Sequence, residues 1–472
     1  MEGVEVSAAV VVPLPAQGHL NQLLHLARLL SSRGIAVHYV GSASHNRQAR
    51  DRAGAALNST SVTAVPIEFH DIHLPPFPSP TPDPLAPTKF PTHLQPAFDA
   101  AALHLAAPLE ALLRSLASSR RRVVLIHDST MSFAAAAASS VPNVCAFSFH
   151  SVSAFALLLY QWESRGRPPV DDLHLPPISN RDCFSEQFLE FVGRQHRMIA
   201  PSSGRLINTC RAIEGNIIDM LIKEPNWLNE KTFVIGPLNP IRSDRTAGAR
   251  HACLRWLDEQ PPASVLYVSF GTTSSLSQEQ VAEIGAGLEA AAAAGIRFIL
   301  VLREADKADI YGGGGSSCGE DDELRKKLPL DYDRRVERVG GKVVRGWAPQ
   351  VDILGHPSTG GFLSHCGWNS CMESISMGVP ILAWPMHSDQ PRNAVLVTQV
   401  LSVGFMARDW ARRNEVLGSG DVKESIARLM VSNEGNEVRK KARSLGVAVR
   451  EAMMDGGTSK VDMDAFIDHV IH

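Results

Sequence analysis

The sequence is poor in the features that mark secreted, membrane-spanning and nucleic-acid-binding proteins. Its seven cysteines are odd in number and scattered in spacing, which argues against a disulfide framework and favours a reducing compartment. The net charge of −3 offers no basic face for nucleic acid. No apolar run approaches the ~20 residues that cross a bilayer, and the opening MEGVEVSAAVVVPLP lacks the basic start of a signal peptide. We therefore expect a cytoplasmic protein that binds neither membrane nor nucleic acid.

The composition is otherwise that of an ordinary globular chain, with 44% apolar and 20% charged residues. A length of 472 residues favours two domains. The first apolar run, SAAVVVPLP, indicates a buried parallel strand, and it precedes a leucine-rich helical pattern and a second strand, IAVHYVGSA. This β-loop-α-β opening is a Rossmann-type half. Its loop carries only Gly18 in place of G-x-G-x-x-G, so no dinucleotide is expected there.

The segment from Trp347 to Gln390 concentrates groups suited to a nucleotide sugar. Trp347 offers an aromatic face to a base, a contact worth ~1–3 kcal/mol, and Gln350 offers amide groups. Gly367 precedes a predicted helix, WNSCMESISM, whose N-terminus favours phosphate. One turn into that helix, Glu373 is placed to accept from both ribose hydroxyls. The other candidate donor-binding residues of the segment are Ala348, His365, Trp368, Asn369, Ser370, Asp389 and Gln390.

This segment resembles, almost throughout, the signature box of plant secondary-product glycosyltransferases, which transfer sugar from a UDP-sugar to a small acceptor. WAPQ opens the match, HCGWNS lies in its middle, and GVPILAWP and DQ close it. The resemblance implies that the closing Gln390 goes with glucose or xylose donors. It also implies that the SFGTT turn after the strand VLYVSF touches the donor through Gly271 and Thr272.

The box departs from the family pattern at a few positions, none of which removes a donor contact. They are Ser364, Cys371, Met372, His387 and Ser388. The last two border the expected sugar pocket and could alter the choice of sugar.

The loop after the first strand carries the candidate base. The family pattern P-x-P-x-Q-G-H recurs there as PLPAQGH and identifies His19 as the general base. A neutral imidazole with a pKa near ~6.5 suits removal of an acceptor proton at neutral pH. Asp128 follows the strand VVLI and is its predicted partner, because parallel strands end at one edge of a sheet. Asp71 is the rival, His127 should face the other way, and His25 is expected to pack or lie on the surface.

The resemblance implies an α/β chain of GT-B architecture, with two Rossmann-like domains whose parallel sheets face each other across a cleft. We predict an acceptor-binding domain (1–240), a linker (241–252), a UDP-sugar-binding domain (253–455) and a C-terminal helix (456–472) that packs back on the first domain. Two irregular stretches, a proline-rich one (66–98) and ESRGRPPVDDLHLPPISNRDC, are acceptor loops or mere connectors. YGGGGSSCGEDDELRKK is predicted to be a solvent loop.

The expected function is inverting O-glucosyl transfer from UDP-glucose to a small hydroxylated acceptor. The first half resembles the zeatin O-glucosyltransferase branch in PLPAQGHLNQLLHLARLL, NTCRAIEG and GPLNP, as does WPMHSDQ in the second half, so a zeatin-type cytokinin side chain, cis-zeatin foremost, is the expected acceptor. Flavonoids or other phenolics, a non-catalytic UDP-sugar or hormone binding protein, and a dinucleotide oxidoreductase are the alternatives. We expect a monomer that needs no metal or other cofactor, because no D-x-D motif stands in the loop after a strand, where metal-dependent transferases carry it, and DMD in the C-terminal helical pattern is out of place.

Overall fold

The structure is a computed structural model, and it describes residues 7–53, 65–86, 88–166, 178–199, 202–228, 230–239, 251–274, 276–311, 328–329 and 331–472. All but the last two residues of the predicted linker lie outside the described residues. So do most of the glycine-rich insert and the middle of the second irregular stretch.

Two parallel sheets organise the chain, as the alternation of apolar strands and helices predicts. The strands of the first sheet are β1 (Ser7–Val12), β2 (Ala36–Ser42), β3 (Ile67–Ile72), β4 (Arg122–Asp128), β5 (Val144–His150), β6 (Gly204–Ile207) and β7 (Lys231–Val234). They lie in the order β3-β2-β1-β4-β5-β6-β7, so β1 and β4 are neighbours, paired from Ser7 with Arg122 to Val12 with His127. Because helices cover both faces, the central strands are apolar almost throughout.

The second sheet has the same design. Its strands are β8 (Val265–Ser269), β9 (Arg297–Leu302), β10 (Gly341–Arg345), β11 (Thr359–Ser364), β12 (Ile381–Ala383) and β13 (Gly404–Met406). They lie in the order β10-β9-β8-β11-β12-β13 and are all parallel. The order reverses between β8 and β11, which is where open α/β sheets bind their ligands.

The described helices of the first half are α1 (Gln17–Ser32), α2 (Ala43–Ala53), α3 (Gln95–His104), α4 (Ala106–Ser119), α5 (Phe133–Ser139), α6 (Ala154–Ser164), α7 (Glu186–His196) and α8 (Arg211–Leu221). Those of the second half are α9 (Ala252–Asp258), α10 (Gln278–Ala293), α11 (Tyr332–Arg338), α12 (Gln350–Leu354), α13 (Trp368–Met377), α14 (Gln390–Val395), α15 (Ser419–Val431), α16 (Asn433–Ala452) and α17 (Thr458–Ile471). Short 3-10 turns at Thr92–Leu94 and Trp410–Arg412 and a π turn at Leu396–Val400 complete the set.

The last helix, α17, lies on the first sheet rather than on the second. Its Phe466 ring meets the Phe147 ring of β5 at 5.3 Å between centroids, and Met463 and Val470 join the same buried cluster. The side chain of Asp462 accepts a hydrogen bond from the backbone of Val234 at 3.0 Å. The DMD sequence therefore joins this helix to the first sheet, by packing through Met463 and by a hydrogen bond through Asp462.

A shared hydrophobic core joins the two halves of the chain. Phe155 of α6 and Ile213 of α8 belong to the same buried cluster as Trp368 and Met372 of α13. The indole of Trp368 also donates to the backbone oxygen of Asn208 at 2.7 Å. These contacts set the carboxyl edges of the two sheets against one cleft.

Within the described part of the chain, no single helix has the length and apolarity needed to cross a membrane. The helix pair Thr92–His104 and Ala106–Ser119, bent by 45°, meets those criteria on length and composition alone.

Candidate active site

The residue predicted as a base meets the carboxylate predicted as its partner. His19 lies in the first turn of α1, which starts directly after β1, and Asp128 is the last residue of β4. Because β1 and β4 are adjacent and parallel, the two side chains converge, and His19 Nδ1 lies 2.7 Å from Asp128 Oδ2. The carboxylate is fully buried, whereas the imidazole keeps 27% of its surface exposed.

Two further residues, which sequence reasoning did not identify, complete this arrangement. The Ser151 hydroxyl, just after β5, lies 2.8 Å from His19 Nδ1 and 3.4 Å from Asp128 Oδ2. Thr130 donates both its backbone N–H, at 3.0 Å, and its hydroxyl, at 2.6 Å, to Asp128 Oδ1. Among the described residues, both hydrogen-bond contacts to the ring are at Nδ1. We therefore assign the proton to Nδ1, which leaves the Nε2 lone pair to receive a substrate proton.

The electrostatics of the pair suit a base that becomes charged. Burial by itself would lower the pKa of His19, but the Asp128 carboxylate outweighs it and Asp389 acts in the same direction, so the pKa is raised. Burial likewise opposes ionisation of Asp128, yet His19 and Thr130 hold its pKa below the ordinary value. The site thus favours the imidazolium–carboxylate state that follows proton abstraction.

The rival residues lie in other settings. Asp71 is on the edge strand β3 and is engaged by Arg50, at 2.8 Å, and by Asn46, at 2.9 Å. His127 points to the opposite face from Asp128, where it contacts the Asp128 backbone oxygen at 2.8 Å. His25, expected to pack or to lie on the surface, lines the central cavity instead, because α1 runs along the cavity wall.

The predicted base and ribose ligands form one group on the second half. Trp347 is 58% exposed, so one face of its ring is open to a stacking partner. Gln350, at the start of α12, donates to Glu373 Oε2 at 2.6 Å and to Ser370 Oγ at 2.9 Å, and its own oxygen lies 3.3 Å from Tyr267 Oη. Burial raises the pKa of Glu373 to about 7, against the effect of Gln350. Ala348 is buried behind Trp347.

The imidazole of His365 lies between two glycines at the phosphate end of this group. A Cβ atom at Gly271 or at Gly367 would lie 2.6 Å from His365 Nε2, and Gly271 has a φ of +79°. Burial lowers the pKa of His365 to about 4, so its ring is neutral. His365 Nδ1 is buried and finds no hydrogen-bond partner among the described residues, so Nε2, beside the two glycines, is the nitrogen nearer to the loop backbone. Thr272 follows Gly271 in the cavity wall.

Trp368 and Asn369, both predicted to bind the UDP-sugar, also connect the two halves of the chain. The Trp368 side chain packs into the shared core, so its backbone N–H in the first turn of α13 is the part available to an anion. Asn369 donates to the backbone oxygen of Gly18 at 2.8 Å, and its own side-chain oxygen is buried without a partner in the described ranges. Donor and base loops are therefore in direct contact.

The residues that close the signature box lie at the start of α14. Asp389 accepts from Asn393 at 2.7 Å, and burial raises its pKa. Gln390 accepts hydrogen bonds from the backbone N–H groups of Met386 and His387 at 2.9 and 3.1 Å, and its amide nitrogen lies 3.3–3.4 Å from the ring nitrogens of His387. The His387 ring is buried, and its Nε2 lies 2.6 Å from the hydroxyl of Ser274.

His19 and the predicted donor-binding residues line one cavity of about 990 Å³ between the two sheets, whereas Asp128 is fully buried and contacts His19 from outside the cavity lining. A cluster of aromatic rings from α3, α7 and the segments before them forms its wall on the first half. Phe90 and Phe188 lie 4.8 Å apart between centroids, and Phe184 stacks on Phe188 at 5.7 Å. His387 meets Phe90 edge-on at 5.9 Å, so the aromatic wall adjoins the sugar end of the cavity. Part of the proline-rich stretch, up to Phe90 and Pro91, thus lines the site.

The chain is similar over its whole length to named proteins. The model for "Glycosyltransferase, N-terminal domain" matches residues 5–240, and that for "UDP-glucoronosyl and UDP-glucosyl transferase" matches residues 325–421. Zeatin O-glucosyltransferase of Phaseolus lunatus is 47% identical, covering 98% of this chain and 96% of that protein. Cis-zeatin O-glucosyltransferase 2 of Zea mays is 43% identical, with 100% and 99% covered. Zeatin O-xylosyltransferase of Phaseolus vulgaris is 43% identical, with 98% and 97% covered.

The fold is similar to that of Phytolacca americana UGT2, solved with UDP-2fluoro-glucose and pterostilbene. The TM-score is 0.77 at 26% identity, and the match covers 99% of this chain and 100% of that one. This similarity and the two parallel sheets confirm the GT-B architecture predicted from the sequence.

Proposed function

The chain belongs to the plant UDP-glycosyltransferase family, and from that premise we propose that it is an inverting, UDP-glucose-dependent O-glucosyltransferase whose acceptor is the side-chain hydroxyl of a zeatin-type cytokinin. The observation that carries the proposal is the contact between two loops in one cavity. The first turn of α1, which bears His19 paired with Asp128 of β4, meets α13 through the hydrogen bond from Asn369 to Gly18. The printed names of the full-length relatives supply the acceptor class.

In the proposed reaction, His19 Nε2 takes the acceptor proton as the hydroxyl oxygen attacks C1 of glucose. The bond between C1 and the β-phosphate oxygen breaks, and UDP leaves. Attack from the side opposite an α-linked UDP gives the β-glycoside. Asp128 stabilises the imidazolium that forms, while the N-terminus of α13 and the neutral ring of His365 receive the charge on the phosphate. We expect no metal requirement.

The sugar end of the cavity supports glucose over galactose. Asp389 and Gln390 line this end, and an axial 4-hydroxyl would leave such buried polar groups without partners, at about 1–3 kcal/mol each. UDP-xylose lacks only the 6-hydroxymethyl group and is the second candidate donor. The 43% identity to a zeatin O-xylosyltransferase favours testing it. His387, fixed by Ser274, is the residue most able to decide between the two.

The acceptor end of the cavity suits a flat ring with a short side chain. The rings of Phe90, Phe184 and Phe188 offer apolar faces to such a ring. A hydroxyl on the side chain is then required at His19. Flavonoids and other phenolics are also flat, so this wall alone does not separate them from cytokinins.

The test is an acceptor and donor screen with products identified by mass. UDP-glucose is incubated with cis-zeatin, trans-zeatin, isopentenyladenine and a panel of phenolics, and UDP-xylose and UDP-galactose replace it in parallel. We expect a hexosyl product with a zeatin isomer and none with isopentenyladenine, which lacks the hydroxyl. Equal glucosylation of isopentenyladenine would contradict O-transfer and indicate transfer to nitrogen. Turnover of phenolics alone would contradict the acceptor assignment, and no turnover with any acceptor would favour a binding protein.

A further inference from the structure

Three side chains of metal-ligating type converge at the outer edge of the first sheet, away from the active-site cavity. We propose that His38, Glu68 and His70 form a binding site for one divalent cation of the zinc class. Among the described residues, this is the group of three or more His, Cys, Asp or Glu side chains whose potential ligand atoms all lie within 4.8 Å of one another. None of the three lines the cavity, so the site is separate from the one that handles the UDP-sugar.

The strand register brings the three residues to one face. β2 and β3 are parallel, with His38 opposite Glu68 and Val40 opposite His70. Residues two apart on a strand share a face, so Glu68 and His70 stand side by side across from His38. Val37 and Tyr39 pack with α1 and α17, which places His38 on the other face of the sheet. The edge position leaves one side of the group open to solvent, since Glu68 is 64% exposed.

The distances match those of a tetrahedral site. His38 Nδ1 lies 2.9 Å from His70 Nε2 and 3.2 Å from a Glu68 oxygen, and the other Glu68 oxygen lies 3.5 Å from His70 Nε2. Ligand atoms held at 2.0–2.2 Å around a tetrahedral Zn²⁺ stand about 3.3–3.5 Å apart. Each of these distances lies within a few tenths of an ångström of that range, and the two to Glu68 involve different oxygens of its carboxylate. Water from the open side would be the fourth ligand.

The chemistry of the group also suits such an ion. Two imidazoles and one carboxylate are borderline ligands that favour Zn²⁺ and its neighbours over Mg²⁺ or Ca²⁺. The Nε2 atom of His38 is buried, so Nδ1 is the nitrogen that can face an ion.

An ion in this site would join an edge strand to its neighbour. β3 is the outermost strand of the first sheet and lies at the start of the proline-rich stretch, which reaches the cavity at Phe90 and Pro91. Binding would therefore stabilise the folded chain, because the three ligands come together only in the folded state. The role is structural, and glucosyl transfer should not require the ion.

The experiment uses the full chain without a purification tag, stripped of metal with a chelator. Zn²⁺ affinity is measured by competition with a chromophoric chelator, and Co²⁺ is added separately to record the visible absorption of a four-coordinate site. Glu68→Gln and His70→Ala remove one ligand each at positions that tolerate change, since both side chains are partly exposed. His73→Ala is the matched control, because His73 is an exposed histidine three residues further along.

We expect one Zn²⁺ per wild-type chain, an intense Co²⁺ band, and a higher melting temperature with Zn²⁺ than without. Glu68→Gln and His70→Ala should each lose the band and weaken Zn²⁺ binding about tenfold or more, because removing even an outer-shell partner costs 10- to 100-fold. His73→Ala should behave as wild type. Absence of stoichiometric binding by the wild type, unchanged affinity in both ligand variants, or an equal loss in the control would each overturn the proposal.

Discussion

The imidazole of His19 is held through one nitrogen and left open at the other. Asp128 and Ser151 both contact Nδ1, at 2.7 and 2.8 Å, and Thr130 fixes the far oxygen of the carboxylate. This arrangement orients the ring without occupying Nε2, the atom that we propose takes the acceptor proton. Asp128 contacts His19, whereas the predicted donor-binding residues lie on the other half of the chain.

Replacing His19 by alanine should greatly reduce glucosyl transfer but leave UDP binding nearly unchanged. We expect His19→Ala to lower the rate with zeatin by roughly 10²–10⁴-fold, the usual contribution of a general base. The affinity for UDP should change little, since its predicted ligands come from α12, α13 and the loops beside them. Turnover is measured by product formation and UDP affinity by calorimetry. Near wild-type turnover would exclude His19 as the base.

Asp128→Asn tests the electrostatic part of the site through pH. The Asp128 carboxylate raises the pKa of His19, and the base works only when neutral, so wild-type kcat/KM should fall on the acid side at a pH above 6.5. Without the carboxylate, burial dominates and lowers that pKa. The acid limb should therefore move to lower pH while the maximal rate falls about tenfold or more. An acid limb that stays in place would show that the pair does not set the profile.

Some residues of the candidate site could be predicted from the sequence, and others could not. His19 and Asp128 are identifiable because a family pattern and the shared edge of a parallel sheet point to them. Ser151 and Thr130 are common residues in unremarkable loops, and nothing in their spacing indicates that they approach His19 or Asp128. The contact of Trp368 with Asn208 depends on how the two halves meet, which no local pattern encodes.

At the scale of elements, the phosphate end depends on a glycine turn after β8 and the start of α13. Gly271 and Gly367 leave room on two sides of His365. The left-handed backbone of Gly271, with φ of +79°, adds a second reason for glycine there. The sequence predicts both the turn and the helix start, but not that the same imidazole fills the space beside both glycines.

Gly271→Ala should displace the His365 side chain and weaken the binding of UDP. Losing a hydrogen bond to a charged phosphate costs about 1.5–3 kcal/mol, so affinity should fall roughly 10- to 100-fold. Gly295→Ala is the matched control. Gly295 has a φ of +91° and nothing within 4 Å of a built Cβ, so it carries the backbone strain without the clash. UDP affinity is measured for both variants by calorimetry. Equal losses in the two would assign the effect to strain rather than to His365.

The order of strands and the course of α17 mark the limit of prediction from local pattern. Apolar runs identify most strands, and helical periodicity identifies most helices. A strand buried on both faces is apolar throughout, whereas a helix buried on one face has apolar residues three or four positions apart. Strand order depends on contacts between distant segments. The amphipathic pattern of α17 predicts a helix, whereas its place on the first sheet follows from the family resemblance and depends on contacts such as Phe466 with Phe147.

At the scale of the whole molecule, charged contacts hold the two halves together beside the site. Arg52 of α2 binds Asp306 with both of its terminal nitrogens, at 2.7 and 2.8 Å, and also donates to Gln17 at 2.6 Å. The backbone N–H of Asp306 donates to the oxygen of Thr272 at 2.8 Å. One network thus runs from the base loop to the donor loop.

Arg52→Gln should impair transfer without unfolding either half. A displacement of about 1 Å between base and donor can cost 10²-fold, so we expect kcat to fall roughly 10- to 100-fold. Arg50→Gln is the control, because Arg50 lies on the same helix and pairs with Asp71 within the first half. Melting temperatures of both variants are recorded beside the kinetics. Identical kinetics in the two variants would show that the network does not position the halves.

The most direct test of inverting O-glucosyl transfer to zeatin is the structure of the product, determined from its proton NMR spectrum. Wild-type chain, UDP-glucose and zeatin are incubated, and the purified product is analysed for the position and anomeric configuration of the sugar. We predict one glucosyl group on the side-chain oxygen, with the large anomeric coupling of a β-glucoside. An α-glucoside, or glucose on a ring nitrogen, would contradict it.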